Sequence, residues 1–225
     1  MNSSIVVVVL ASAVLYGTPL VFAALGELLA ERSGVLNLGV EGMMLGGAVM
    51  GFWAVQRIDA PTPVALVLAT LVAAIAGGVL ALIHAFLVIT LRASQIVSGL
   101  ALTIFAGAGG LSSYIGTVES LPANPARHSF DPVNLFGLQG LPVIGPVLFG
   151  QSMLVYASWV ATAAVGLYLG RTRMGLNVRA VGEAPAAADA AGISVTRYRY
   201  LHVIAGGAFA GVAPSQRRPR RARRS

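Results

Sequence analysis

Long apolar segments are the feature that most constrains this chain. Five of them are close to or longer than the ~20 residues with which a helix crosses the hydrocarbon core of a bilayer. They lie at residues 5–29, 34–55, 64–91, 95–117 and 152–170, and a sixth segment starts at residue 201 and extends to 213. Only 10% of the 225 residues are charged, compared with roughly 25% in soluble domains. Because lipid cannot hydrogen-bond exposed backbone, each segment is predicted to be a helix. The chain is therefore predicted to be an all-α, polytopic transmembrane bundle with five full spans and the start of a sixth.

The polar stretch at residues 171–200 is the one interruption between these segments that has a strong charge bias, with five arginines and two acids. A short helix is predicted within it. Pro185 suits a first helical turn, Ala186–Ala191 are mostly the best helix former, and Gly192 is placed to end the helix in the left-handed conformation. A helix of about two turns is too short to be stable alone and has no apolar face for lipid. We interpret it as a docking element for another protein.

The arginines predict the orientation of the chain. Alternating the loops puts Arg32, Arg92 and the five arginines of residues 171–200 on one side of the membrane, and Arg57 and Arg127 on the other. Basic residues are in excess on the cytoplasmic side of membrane proteins. The docking helix is therefore predicted to face the cytosol, with the amino terminus outside.

The second apolar segment, 34–55, contains two polar side chains among glycines. Asn37 and Glu41 are four residues apart, which would place them on one face of a helix. A carboxylate at mid-membrane depth costs on the order of 2.5–3.5 kcal/mol and should face protein or water. Two interpretations stay open: a carboxylate near the interface that only fixes helix packing, or a pair at the translocation pathway or its gate. The glycines allow neighbouring backbones to approach closely or the helix to break.

Further polar residues lie in the third and fourth segments. His84 is isolated in its segment, and such a histidine is more often a packed, hydrogen-bonded residue than a ligand. Gln95, Ser98 and Thr103 are candidates to line a polar interior, although serine and threonine also serve as simple interhelical hydrogen bonders. The loop at 118–150 contains a weakly apolar segment, 141–149, that is predicted to lie along the membrane surface.

Enzymatic functions are poorly supported. The chain has no cysteine and no lysine, which removes thiol catalysis, cysteine metal sites and Schiff-base chemistry. It contains no Walker loop, no HExxH motif and no Gly-x-Ser-x-Gly elbow. The chain is predicted not to be an enzyme, and neither a cofactor, a metal nor a nucleic-acid partner is predicted.

Three stretches resemble a known family. ERSGVLNLGVEGMM, ASQIVSGLAL and GLNVRAVGEAPAAADAAGISVTRYRY are similar to the membrane-spanning permeases of ATP-binding cassette importers, and the third stretch is the most specific. The likeness covers nearly all of residues 16–212. It is strongest to the branch that handles nucleosides and simple sugars, which is related to branched-chain amino acid and ribose permeases.

The resemblance implies a mechanism and a set of partners. A cytoplasmic helix would dock into a separate ATPase subunit and couple ATP binding to alternating access. The coupling residues would be Gly182, Glu183 and the helix Pro185–Gly192, which includes Ala188 and Asp189. A second permease subunit, identical or related, would complete the pore. A periplasmic or lipid-anchored binding protein would deliver the substrate. The chain itself would be a multi-pass protein of the bacterial inner membrane. Asn37, Glu41, Gln95 and Ser98 are the candidate pathway residues.

The carboxyl-terminal residues depart from the family pattern. After about residue 213 the apolar sequence gives way to PSQRRPRRARRS, which carries six arginines. One interpretation is binding to anionic membrane lipid, at about 1 kcal/mol for each basic residue. The favoured one is a truncated or frame-shifted end, with residues 1–213 forming a partial permease domain and 214–225 a disordered or artefactual tail.

A second class of function stays open. A carboxylate in a glycine-broken span is also expected of a self-contained secondary transporter or channel, whose uptake would follow an ion gradient and ignore ATP.

Overall fold

Helices form nearly all of the part of the chain that the structure, a computed structural model, describes: residues 3–107, 110–118, 130, 132–133 and 142–213. The helices are α1 (Ser3–Arg32), α2 (Val40–Arg57), α3 (Thr62–Ala85), α4 (Gln95–Ala106), α5 (Leu111–Val118), α6 (Met153–Arg171), α7 (Arg173–Glu183), α8 (Pro185–Ala190) and α9 (Val195–Val212). Two π-helical turns, Phe86–Thr90 and Gly145–Phe149, complete the regular structure. The predicted all-α class is confirmed for these residues.

Four helical segments are long and apolar enough to cross a membrane. They are Ile5–Arg32, Thr62–Thr90, Gln95–Ile115 and Met153–Arg171. These segments support a multi-pass membrane protein, whereas the exact count of five spans and a partial sixth stays a prediction. Most of the loop at 118–150, residue 141 and the arginine-rich tail at 214–225 lie outside the described residues.

Helix α2 begins later than the sequence predicted. The apolar segment that starts at Gly34 was expected to be helical throughout, but α2 starts at Val40 and residues 33–39 are not helical. The prediction that Asn37 and Glu41 share one helical face is therefore wrong. The cause is local: Gly34 has a φ of 83°, a conformation that ends α1 and cannot start a second helix at the same residue.

Helix α9 lies at the centre of the bundle, where it packs against α1, α2 and α3. Glycines mark the crossings. A Cβ on Gly26 or Gly206 would collide with the backbone of the other residue, and the same holds for Gly77 and Gly207. Small residues at helix crossings let the backbones approach closely. The sequence prediction concerned the glycines of residues 34–55, and it is confirmed at Gly42 and Gly47, where a Cβ would collide with the backbones of α4 and α9.

The end of the bundle near the start of α1 is held by one buried glutamine. The Gln151 side chain is fully buried, and its Nε2 donates to the carbonyl oxygens of Ala11, Pro146 and Val147 at 3.3, 3.2 and 3.0 Å. The π-helical turn at Gly145–Phe149 therefore packs on the amino-terminal half of α1. Its predicted place along the membrane surface stays a prediction.

Replacement of Gly77 by alanine tests the crossing of α3 and α9. The added methyl group would collide with the Gly207 carbonyl oxygen, so we expect a loss of about 1–3 kcal/mol in the free energy of unfolding. Gly166→Ala is the matched control because a Cβ there meets nothing within 4 Å, and it should be neutral or stabilise by up to about 1 kcal/mol. Denaturant unfolding of detergent-solubilised protein, followed by circular dichroism, measures both. Equal stabilities of the two variants would contradict the packing.

Candidate functional site

The connection between α1 and α2, residues 33–39, is an unwound segment enclosed by helices. Gly34 closes α1 with a double hydrogen-bonded cap: its N–H donates to Glu31 O at 2.9 Å, and the Val35 N–H donates to Ala30 O at 3.2 Å. Both bonds satisfy carbonyl groups at the end of the helix. Residues 35–37 then have no regular secondary structure and residues 38–39 form a turn before α2 begins, so backbone groups in between need partners outside a helix.

Side chains of α3 and α4 supply those partners. The Leu36 N–H donates to Oε1 of Gln95 at 2.7 Å, and the Leu36 carbonyl oxygen lies 3.2 Å from Nε2 of His84. The Thr103 hydroxyl lies 3.4 Å from Leu38 O. Non-helical backbone is tolerated at membrane depth only where protein or water satisfies it. These contacts meet that condition for both polar groups of Leu36 and for the Leu38 carbonyl.

His84 joins three parts of the chain. It is completely buried, and its Nδ1 lies 3.0 Å from the Ser98 hydroxyl while Nε2 faces the Leu36 carbonyl. A carbonyl only accepts, so we assign the hydrogen to Nε2; in the neutral ring Nδ1 then accepts from Ser98. The sequence favoured a packed, hydrogen-bonded histidine, and that interpretation is confirmed. Its contact with the unwound segment was not foreseen.

Three of the four candidate pathway residues lie in this segment or beside it. Asn37 lies within it and is 1% exposed, Gln95 binds its backbone, and Ser98 reaches it through His84. The fourth, Glu41, lies in the first turn of α2 with an exposed side chain. There a negative charge stabilises the positive end of the helix dipole.

Asn37 has an unused hydrogen-bonding atom. Its Nδ2 contacts the Met43 sulfur at 3.4 Å, while its buried Oδ1 has no hydrogen-bond partner. A buried acceptor left without a donor costs about 1–3 kcal/mol. Such an unsatisfied buried group is a reason to look for a ligand that supplies the donor.

A second cluster of predicted residues forms a helical hairpin made of α7 and α8. Pro185 occupies the first turn of α8, and Gly192 has a φ of 79°. The N–H groups of Gly192 and Ile193 donate to Asp189 O and Ala188 O, each at 2.9 Å. The predicted short helix and its glycine cap are confirmed, whereas its role in docking stays a prediction.

The hairpin presents one side of α8 outward. Ala188 is buried, with 4% of its surface exposed, while Glu183 and Asp189 are exposed. Gly182 packs against the end of α1, where a Cβ would collide with Arg32 O. The remaining α8 positions 186, 187 and 190 are also exposed, so the helix has a free face next to a buried anchor.

Sequence reasoning missed α7. Thr172 caps its amino terminus by accepting a hydrogen bond from the Gly175 N–H at 2.9 Å. A threonine directly before a helical segment is a known start signal, and Thr172 could have been recognised as one.

An aromatic network fastens the hairpin to the bundle. The Tyr168 hydroxyl of α6 lies 2.8 Å from Nε2 of His202, and the His202 ring stacks on Tyr198 of α9. Nδ2 of Asn177 in α7 donates to the Tyr198 hydroxyl at 2.8 Å. Three helices therefore meet on one set of rings.

The arginine-rich segments gather at one end of the bundle. Arg199 binds the end of α1 through Ser33 O at 3.3 Å, and Tyr200 reaches the last turn of the third segment at Thr90, 2.5 Å away. This arrangement agrees with the loop alternation used in the charge count. The cytoplasmic assignment of that end stays a prediction.

Comparison with known proteins shows the family. The model of the branched-chain amino acid transport system permease component matches residues 9–214. The chain belongs to this family, and the resemblance read from its motifs is confirmed.

Several relatives carry transport names. A putative glucose ABC transporter permease of Haloferax volcanii is 41% identical over 199 residues, covering 87% of this chain and 58% of the relative. A guanosine ABC transporter permease of Bacillus subtilis is 33% identical over 210 residues, covering 91% and 65%. A nucleoside ABC transporter permease of Lactococcus lactis is 34% identical over 210 residues, with the same two shares. The chain thus spans 58–65% of the length of these relatives. No solved structure matches it.

Replacement of Gln95 by leucine tests the support of the unwound segment. The change removes the acceptor of the Leu36 N–H, so we expect a loss of about 0.5–1.5 kcal/mol in the free energy of unfolding, the net contribution of one hydrogen bond. Val97→Leu is the control, since Val97 is 65% exposed and should change stability by no more than about 0.5 kcal/mol. Denaturant midpoints in detergent give both values. A Gln95→Leu variant as stable as the control would show that the hydrogen bond is not needed.

Proposed function

We propose that this chain is a permease subunit of an ATP-driven importer that forms half of the translocation pathway and couples to a separate ATPase. The observation that carries the proposal is α8: a helix capped by Gly192, with an exposed face, in a hairpin that is bound to α9 through Asn177 and Tyr198. Family membership supports the same function. ATP hydrolysis would take place in the partner subunit.

The proposed substrate is a nucleoside or a simple sugar. The relatives named above are permeases for glucose, guanosine and nucleosides. Both substrate classes carry several hydroxyl groups, which donate hydrogen bonds to amide oxygens. The unpaired Oδ1 of Asn37 is an acceptor of this kind, and we place it in the pathway with Gln95, Ser98 and Glu41.

The proposed membrane arrangement uses all six apolar segments. Helix α2 is 18 residues long, about 27 Å at the 1.5 Å rise of an α-helix, so we assign it as a span beside the four long segments. The apolar part of α9, from residue 201 on, is the start of a sixth span. The arginine-rich end faces the cytoplasm of a bacterial cell. A second permease subunit would complete the pore, and a periplasmic or lipid-anchored binding protein would deliver substrate at the opposite end.

The proposed mechanism transmits movement through rigid contacts. Closure of the ATPase would displace α8, and Ala188 is the buried residue of that helix. Asn177 of α7 ties the hairpin to α9 through the Tyr198 hydroxyl, and Tyr198 stacks on His202. Helix α9 packs on α1, α2 and α3 through glycines, so its tilt changes the positions of the spans around the pathway.

Replacement of Ala187 by arginine tests docking. Ala187 is exposed on α8, so a bulky cation there should leave the fold intact but block a close-fitting partner. We expect affinity for the ATPase subunit, measured by co-purification from membranes, to fall about tenfold or more, together with uptake. The control is Thr62→Arg, an exposed change in the first turn of α3 at the opposite end. Unchanged co-purification of Ala187→Arg would refute the docking role.

A gradient-driven transporter or channel is the second candidate, favoured by the exposed carboxylate of Glu41 in α2. The two functions differ in their energy source. In cells that express the complete system, we expect uptake of labelled nucleoside or sugar to stop when ATP is depleted while the ion gradient is maintained. Uptake that survives ATP depletion and stops when the gradient is collapsed would establish the second candidate instead.

A further inference from the structure

We infer that the unwound segment 33–39 carries movement from the coupling hairpin to the polar cluster in the pathway, with His84 as the positioning residue that makes the transfer possible. This inference rests on the proposed function. It concerns a route separate from the one through α9, because the segment contacts the hairpin at one end and the cluster at the other.

At the hairpin end the contacts are backbone to backbone. A Cβ built on Gly34 would lie 3.2 Å from Cα of Gly182, the residue that precedes Glu183 in α7. A Cβ on Gly182 would collide with the Arg32 carbonyl oxygen. Backbones this close leave no space to absorb a shift, so a displacement of α7 pushes directly on the end of α1.

Arg199 adds a polar contact at the same place. Its Nε donates to Ser33 O at 3.3 Å, and Nη2 would lie 3.4 Å from a Cβ at Gly34. Ser33 itself is fully buried and its hydroxyl donates to Ala30 O at 2.7 Å. The start of the segment is thus enclosed by α1, α7 and α9 together.

At the cluster end the segment is held by side chains. His84 and Gln95 bind opposite polar groups of Leu36, its carbonyl oxygen and its N–H. A Cβ on Gly99 would approach Leu38 C and Gly39 N at 2.8 and 2.9 Å, so α4 also packs directly on the segment. Asn37 lies between these contacts and moves with them.

The segment is suited to transfer movement because it has no helix hydrogen bonds of its own over Leu36–Leu38. A helix resists rotation of single peptide units, whereas a non-helical stretch between two packed helices turns at lower cost. Elements that absorb such backbone changes are a few residues at the ends of helices. Here the turning is limited by His84, which holds Leu36 and is held in turn by Ser98.

The experiment exploits the absence of cysteine from the chain. A single cysteine placed at Leu38, which is 43% exposed, reports on the segment through its rate of reaction with N-ethylmaleimide. The rate is measured in the complete complex with its ATPase, reconstituted in phospholipid nanodiscs, with and without ATP and vanadate. We expect the nucleotide to change the rate by about fivefold or more, the lower range of allosteric coupling.

The His84→Leu variant of this reporter tests the positioning role. The complex should still assemble and hydrolyse ATP, but the effect of nucleotide on the Leu38→Cys reaction should be lost. His84→Gln keeps a hydrogen-bonding side chain and should restore part of the effect. Thr70→Val is the control on the same helix: its hydroxyl donates only to Leu66 O within α3, so the nucleotide effect should persist. If His84→Leu does not assemble, Ser98→Ala is measured in its place and is expected to reduce the effect.

The results separate this inference from the proposed function. If the Ala187→Arg variant still co-purifies with the ATPase subunit, the docking role itself is refuted. An assembled, ATP-hydrolysing complex in which nucleotide does not alter the Leu38→Cys rate refutes only the transfer through the segment. A rate that responds equally in the wild-type and His84→Leu backgrounds shows that His84 has a structural role alone.

Discussion

Side chains of α3 and α4 hydrogen-bond the non-helical backbone between α1 and α2, and the arrangement of the bundle follows from this pairing. An apolar chain in lipid is free to be helical, but it is not free to leave a peptide group unpaired. Once Gly34 ends α1, the next peptide groups need donors and acceptors from elsewhere. Gln95 and His84 supply them, which fixes how α3 and α4 lie relative to the first two helices.

Glycine distribution sets the second level of organisation. Helix α9 is held by close crossings such as Gly26 with Gly206 and Gly77 with Gly207. Packing of this kind depends on van der Waals contact and shape. An added side chain at these crossings would collide with backbone, so the centre of the bundle tolerates little change in volume.

Much of the architecture could be predicted from local signals. The length of the apolar segments predicts the helical class, and Pro185 with Gly192 predicts both ends of α8 because each acts through its own backbone. Gly34 carried an equally local signal, but the apolar letters around it favoured a continuous span, so the start of α2 was placed six residues early. The partners of His84 could not be predicted, since Leu36 and Ser98 are 48 and 14 residues away.

Apolar helices of membrane length, a basic end, a capped helix and the motifs of a permease family can all be recognised along the chain. Each of these depends on composition or on residues close together in sequence. Which polar residues meet follows from the packing of the helices. Asn37, Gln95 and Ser98 come together, and Glu41 does not join them, because the unwound segment turns Asn37 inward before α2 begins. That turn is stable only with donors and acceptors from distant helices, and no pattern along the chain records which helix will supply them.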